Sequence, residues 1–175
     1  MVRIRTMTED DVDAVAEIRV GGWRTAYAGL VPQGRLDAMD AAEDAARHRR
    51  FFRQDGGLQQ VNLVAETAGG DVVGWACYGP CRDADVTGGN GELYALYVRP
   101  DLIGTGAGRA LCAAVIEGAA ARGFHRLLLW VLEGNHRARA FYARAGFAPD
   151  GAGRPDDIDG TPVPEVRYAM PLPVT

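Results

Sequence analysis

Apolar and polar residues alternate from Val2 to Met7, which predicts a first strand. Thr8 then suits a helix cap, with Glu9, Asp10 and Asp11 at the positive end of the dipole. Val12, Val15 and Ala16 give that helix an apolar face, and Gly21-Gly22 is expected to break or bend it. Trp23 and Tyr27 follow at i and i+4, on one side of any helical continuation, and Pro32 ends the segment. Asp40 begins a charged helix running to about Arg53, which Gly56-Gly57 should stop. Val61 to Glu66 and Val72 to Tyr78 read as a hairpin turning at Gly69-Gly70. A glycine-bearing loop, Gly79 to Gly91, leads to the next strand, Glu92 to Val98.

Arg99-Pro100-Asp101 stops that strand, because Pro100 cannot donate to a ladder. Gly104, Gly106 and Gly108 come next, opening a helix to about Arg122. Its small apolar residues (Ala107, Ala110, Leu111, Ala114, Val115) keep helical spacing and allow close packing on a sheet. Arg126 to Leu132 is almost wholly apolar, as expected for a strand buried on both faces. Strand, helix and strand here form a βαβ unit, so 92–98 and 126–132 should be parallel. Asn135 caps a short helix to Ala145, stopped by Gly146. The tail, Phe147 to Thr175, reads as two strands around a Gly-, Pro- and Asp-rich loop, GAGRPDDIDGTPVP. There is no internal repeat and no linker.

Length sharpens this to one domain, 1–175, large enough to bury a core without staples. The charge balance, 19 basic against 23 acidic residues, argues against nucleic acid and is compatible with a cationic partner. Three cysteines (Cys77, Cys81, Cys112) lack metal-type spacing and read as reduced thiols. The N-terminus lacks the apolar core of a signal peptide, and no apolar run approaches the ~20 residues of a bilayer span. The expectation is a cytoplasmic protein without a membrane partner. His48, His125 and His136 share no metal-ligand spacing and are expected at the surface, so no metal is expected.

The glycine turn carries the first chemistry. A glycine-rich turn opening a helix leaves backbone N–H groups unpaired and aimed outward, which is an anion site suited to phosphate. One reading is a dinucleotide-binding unit. It needs G-x-G-x-x-G almost directly after the strand, whereas here the pattern is G-x-G-x-G after a gap from Arg99 to Ile103.

The other reading is a resemblance. Strand 92–98, the turn IGTGAGR, strand 126–132 and then NHRARAFYARAGF together resemble the GNAT superfamily of N-acetyltransferases. The family's glycines fall on Gly106 and Gly108, and its Phe-Tyr-x-x-x-Gly-Phe motif falls on Phe141-Tyr142 and Gly146-Phe147. Ile103 stands where the family pattern has Arg or Gln. The resemblance is closest over 92–148 and looser over the rest.

It implies an α/β, single-domain GNAT-like fold. That is a central mixed, mostly antiparallel sheet with one splayed parallel strand pair (92–98 and 126–132), flanked by about four helices. It also implies acetyl transfer from acetyl-CoA to a primary amine, on a small molecule or a peptide. A non-catalytic acyl-CoA-binding sensor on the same fold is the alternative. The cosubstrate's pyrophosphate would lie on Ile103, Gly104, Thr105, Gly106, Ala107, Gly108 and Arg109. A bulge in strand 92–98 would free N–H groups near Leu96, Tyr97 and Val98 for the thioester end.

Glu92 matches the family's base, needed because an alkyl ammonium has a pKa of about 10.4. Tyr142 matches the acid that protonates the leaving thiolate. Asn135 and Tyr142 are two helical turns apart, roughly 10 Å, with Ala138 leaving room beside them as a further cofactor contact. Trp23, Tyr27 and Asp157, in the run Asp156-Asp157-Ile158-Asp159, would wall the acceptor pocket. A homodimer is common among such proteins, so the oligomeric state stays open.

Overall fold

The computed structural model describes residues 1–54 and 59–173. Among these residues seven strands form one sheet: β1 (Arg3–Thr6), β2 (Val61–Glu66), β3 (Val72–Pro80), β4 (Asn90–Val98), β5 (Arg126–Leu132), β6 (Ala148–Ile158) and β7 (Thr161–Pro171). Their order is β1-β2-β3-β4-β5-β7-β6. Every neighbouring pair is antiparallel except β4 and β5, the parallel pair that the βαβ pattern predicts. Among the described residues five α-helices accompany the sheet, against about four expected: α1 (Val12–Ala26), α2 (Gln33–Ala38), α3 (Ala41–Gln54), α4 (Ala107–Ala121) and α5 (His136–Arg144). Gly56-Gly57, the expected stop of α3, lie outside the described residues.

The sheet buries both faces. On one, Leu111, Val115 and Ala119 of α4 meet Leu93, Leu127 and Leu129. On the other, Val12, Val15 and Ala16 of α1 and Ala45 of α3 meet Val64 and Trp75. A third cluster, with Val31, Leu36, Leu132, Ile158 and Val163, covers the end of β5. Leu36, 1% exposed, anchors α2. One buried side chain in six residues leaves no helical period to read, which is why the pattern misses this helix. At the start of α1, Asp11 accepts the Thr8 N–H (2.8 Å) and both amino groups of Arg5 (2.7 and 2.8 Å). These bonds, Arg5's first, hold the Asp11 carboxyl below the usual carboxylate range.

Three expectations need correction. Gly21-Gly22 does not break α1, which runs through to Ala26. Gly22 serves close approach instead: a Cβ there would lie 2.7 Å from Tyr97 Cδ1. The Gly/Pro/Asp-rich tail loop is a long hairpin of β6 and β7. It closes on Asp159 (φ 52°) and Gly160 (φ 79°), a two-residue loop with both central φ positive, the turn that Asp-Gly favours. The many prolines are tolerated because β6 is an edge strand, and Pro162 and Pro164 lie beyond the β5 ladder, which starts at Glu165. Finally, His48 is half-buried rather than fully at the surface. It packs edge-on against Trp75, ring centroids 5.2 Å apart, and burial pushes its pKa down.

Candidate functional site

The parallel ladder between β4 and β5 covers three pairs, ending at Glu92↔Leu128. Beyond it the strands separate into a V, and a cavity of about 1070 Å³ opens between them. A bulge accompanies the separation. β3 and β4 stay in register from Gly74↔Val98 to Cys77↔Ala95, then slip so that Tyr78 faces Leu93 and Tyr94 is the extra residue. The slip re-aims the strand. Leu93, Leu96 and Val98 pack towards α4, whereas Tyr94, Ala95 and Tyr97 pack towards α1 and α3. From Leu93 onward the β4 edge that faces β5 has no ladder partner, so its inward N–H groups address the cavity.

The glycine turn forms the next wall. Gly104 and Gly106 have φ of +91° and +102°, a region that side chains strain to enter. Ala110 is the first α4 residue whose N–H finds a helical acceptor, the Gly106 carbonyl at 3.0 Å. The N–H groups of Ala107, Gly108 and Arg109 precede it and stay open at the positive end of the helix. Ile103, Gly104, Gly106, Gly108 and Arg109 line the cavity. Thr105 and Ala107 do not. The Thr105 N–H and hydroxyl both bond to Leu102 O (3.2 and 2.7 Å), so Thr105 serves the turn rather than a ligand. The Ala107 side chain is in the core, leaving only its backbone for binding.

α5 supplies the third wall. The Asn135 side chain caps it, its Oδ1 accepting the Ala138 N–H at 3.1 Å, so its amino group remains for the cavity. Ala138 and Tyr142 line the same face. The Tyr142 ring is wedged edge-on between Phe141 (5.2 Å) and Phe147 (5.8 Å). Its hydroxyl makes no hydrogen bond among the described residues, and burial raises its pKa above the ordinary tyrosine value.

Trp23 and Tyr27 do meet at the opposite end, ring centroids 4.8 Å apart. The Tyr27 and Tyr97 hydroxyls share a hydrogen bond of 3.0 Å. Asp157 is not part of this wall: its carboxylate accepts the Gly160 N–H (2.9 Å) in the hairpin turn. Strand alternation turns Asp156 and Ile158 to the cavity in its place. Glu92, 3% exposed, lines the cavity but is not free. It accepts the Arg82 backbone N–H (3.0 Å), Nε (3.2 Å) and Nη2 (2.8 Å).

A cleft with open N–H donors on two sides and a tyrosine hydroxyl between them suits an extended, phosphate-bearing ligand. The family model for the Acetyltransferase (GNAT) family matches residues 31–147. The chain belongs to this GNAT acetyltransferase family. It is 33% identical over 135 residues to the uncharacterized N-acetyltransferase YuaI of Bacillus subtilis, covering 77% of this chain and 74% of the relative. The ribosomal-protein-alanine N-acetyltransferase of Brucella melitensis superposes with a TM-score of 0.74 at 28% identity, over 97% of this chain and 99% of the other. The PaiA N-acetyltransferase of Thermoplasma acidophilum, solved with coenzyme A, shares the fold with a TM-score of 0.73 at 19% identity, over 98% and 99%. The dinucleotide reading of the glycines is thereby overturned.

For this acetyltransferase, sequence reasoning missed several cavity residues. Arg137 and Arg144 line the mouth with Arg109. They stand seven apart, the same two-turn spacing that links Asn135 to Tyr142, so that signal was available. Arg82, Trp130, Arg154 and Glu165 shape the end near Trp23. The Arg154 guanidinium carbon lies over the Trp130 ring, 3.9 Å from its centroid, and Arg154 Nε donates to Glu165 Oε2 at 3.0 Å. Burial, outweighing that bond, raises the Glu165 pKa. Among the described residues no group of His, Cys, Asp and Glu is arranged to hold a metal, and no helix is long and apolar enough to cross a membrane.

Proposed function

We propose that this enzyme transfers the acetyl group of acetyl-CoA directly to a primary amine, of a small molecule or a peptide. One observation carries the reading: the unpaired edge of β4, the open start of α4 and the Tyr142 hydroxyl face a single cavity. The N–H groups at residues 106–109 and the guanidinium groups of Arg109, Arg137 and Arg144 would hold the cosubstrate's phosphates. Ile103 contributes backbone and apolar surface there, in place of a charged side chain. The Arg99 N–H bonds to the Val73 carbonyl of β3, so strand alternation turns the Tyr97 N–H to β3 as well and leaves those of Leu96 and Val98, which would hold the thioester carbonyl as negative charge develops on its oxygen.

Tyr142 keeps its proton at neutral pH, because burial opposes the phenolate, and gives it to the departing sulfur. Glu92 takes the amine's proton, either directly with Arg82 still bound to its outer edge or through a water. Trp23 and Tyr27 provide an aromatic wall for the acceptor's apolar part, and Asp156 with Glu165 gives that end acidic character suited to an amine. The proteins compared include an enzyme named for a protein amine, which is why peptide acceptors stand beside small ones.

Thiol release from acetyl-CoA, followed with a chromogenic disulfide over a panel of amines, tests this. The panel holds spermidine, lysine methyl ester, glucosamine and an alanyl peptide. Tyr142→Phe should lower kcat by about 100-fold or more, the scale of a lost general acid. An unchanged kcat with chemistry rate-limiting would remove Tyr142 from the mechanism. Glu92→Gln should lower kcat/KM for the amine while leaving the KM of acetyl-CoA near the wild-type value.

A further inference from the structure

The β3–β4 connection, residues 81–89, lies beside the closed end of the V, where the parallel ladder gives out. Its Asp83 has a side chain only 7% exposed and does not line the cavity. Yet its carboxylate is a hub. It accepts the Trp130 indole N–H (2.9 Å to Oδ2, 3.1 Å to Oδ1), Arg154 Nη1 (3.3 Å) and Arg167 Nη1 (2.9 Å). These donors come from three strands, β5, β6 and β7. The adjacent residue, Arg82, holds Glu92 of β4 through its backbone N–H and its guanidinium.

Two consecutive residues therefore tie β4 to β5, β6 and β7 just where backbone pairing between β4 and β5 ends. Trp130 stands two residues past the last parallel pair, Glu92↔Leu128. Everything these two residues grip on the acceptor side lines the cavity: Glu92, Trp130 and Arg154, the last stacked on the Trp130 ring. Arg167, which lines nothing there, is clamped by Asp83, Asp85 and Asp150, and so makes the floor beneath Trp130 rigid.

We infer that Asp83 is a positioning residue for the acceptor end of the site. It fixes the indole of Trp130 and the guanidinium of Arg154 directly. Through the chain it also delivers Arg82 to Glu92. It touches neither reactant. Its carboxylate is what lets two arginines and an indole sit together in a half-buried place, since a neutral side chain would leave the arginine charges less compensated. This inference rests on the acetyl-transfer reading for its kinetic consequence, but its structural content can be read without turnover.

Asp83→Asn preserves size and removes the charge. The first measurement is the Nε–H signal of Arg82 in 15N-labelled protein, assigned by its loss in Arg82→Lys. A guanidinium held on a carboxylate keeps a slow-exchanging signal; in Asp83→Asn the signal should broaden or vanish. The second is a split in Michaelis constants, using the amine of the panel above that wild type acetylates fastest. The amine KM should rise about tenfold, since small misplacements near the reacting groups are costly, while the acetyl-CoA KM stays within about twofold. An unchanged Arg82 signal, or both Michaelis constants moving together, would overturn the inference. Should Asp83→Asn not fold, Trp130→Phe removes only the indole donor and must weaken the Arg82 signal in the same way. If wild type acetylates no amine on the panel, the functional reading fails while the Arg82 signal still decides the role of Asp83.

Discussion

The two glycines inside α1 make a matched pair whose alanine variants should move stability in opposite directions. Each substitution removes backbone freedom from the unfolded chain, worth about 1 kcal/mol in a helix interior. At Gly21 that gain stands alone, because a new Cβ would meet only Pro100 Cδ and Cγ, both at 3.5 Å, an ordinary contact. At Gly22 the Cβ would lie 2.7 Å from Tyr97 Cδ1 and 3.3 Å from Cγ. Tyr97 cannot yield easily. Its ring stacks on Trp75 with centroids 6.4 Å apart, and its hydroxyl holds Tyr27 at 3.0 Å. Overpacking a site of this kind costs about 1–3 kcal/mol, which offsets or exceeds the helix gain. Gly21→Ala should therefore stabilise by about 1 kcal/mol, and Gly22→Ala should destabilise by about 1 kcal/mol. In a chain of 175 residues each kcal/mol shifts Tm by about 2–4 °C, so the variants should melt about 4–8 °C apart. Calorimetry on the free protein measures this. Equal shifts, or a rise for both variants, would refute the claim that close approach to Tyr97 is why Gly22 is a glycine. Because Tyr97 and Tyr27 stand in the cavity, Gly22→Ala should also raise the KM of the amine more than that of acetyl-CoA.

Three further outcomes are expected. Gly106→Ala places a side chain at φ +102° and should cost about 1–3 kcal/mol of local strain, weakening CoA binding in isothermal titration by about tenfold or more. Burial lowers the pKa of His48 from its ordinary 6.5, with Asp44 only partly opposing, so the unfolded chain takes up a proton that the folded one refuses. Stability should accordingly be full above about pH 6.5 and fall as pH drops below it, and His48→Gln should lose that part of the slope in urea titrations. For Asp11 the sign is the same but the window is lower: the depressed carboxyl stabilises the fold above about pH 4, and this is lost as pH falls below that. Urea midpoints of Arg5→Ala should show a shallower acid decline than wild type.

Local pattern is enough for the first five strands and for the helices with a full apolar stripe, because each of those periods is written in consecutive residues. The hairpin after Phe147 shows the limit. Its prolines and glycines read as a loop, and only the edge position of β6 makes them tolerable in a strand. Edge position is a property of the assembled sheet. The Asp-Gly pair at 159–160 was the one local mark of the true turn. The bulge at Tyr94 is not legible in the same way: that Leu93 and Leu96, three apart, face the same helix is seen only once the strand is paired. On the site, the glycine turn and α5 were legible because their chemistry lies within one motif. The Asp83 hub was not, since its partners stand 47, 71 and 84 residues away. Asp156 and Asp157 cannot be told apart by sequence, because neighbours on a strand differ only in which way they point, and register decides that.

The outer strand β6 has a consequence for assembly. Pro149 and Pro155 remove two of the eleven amide donors of this strand, and its register slips between Pro149 and Gly153. At the far side of the sheet β1 offers only four residues, two of them arginines. A sheet bounded in this way disfavours lengthening strand by strand. Two copies of the chain that associate should do so mainly through side chains, by helix faces or loops, and cross-linking of a side-chain pair rather than backbone pairing at β6 is the expected outcome. Concentrated protein should also resist forming fibrils seeded from the native edges.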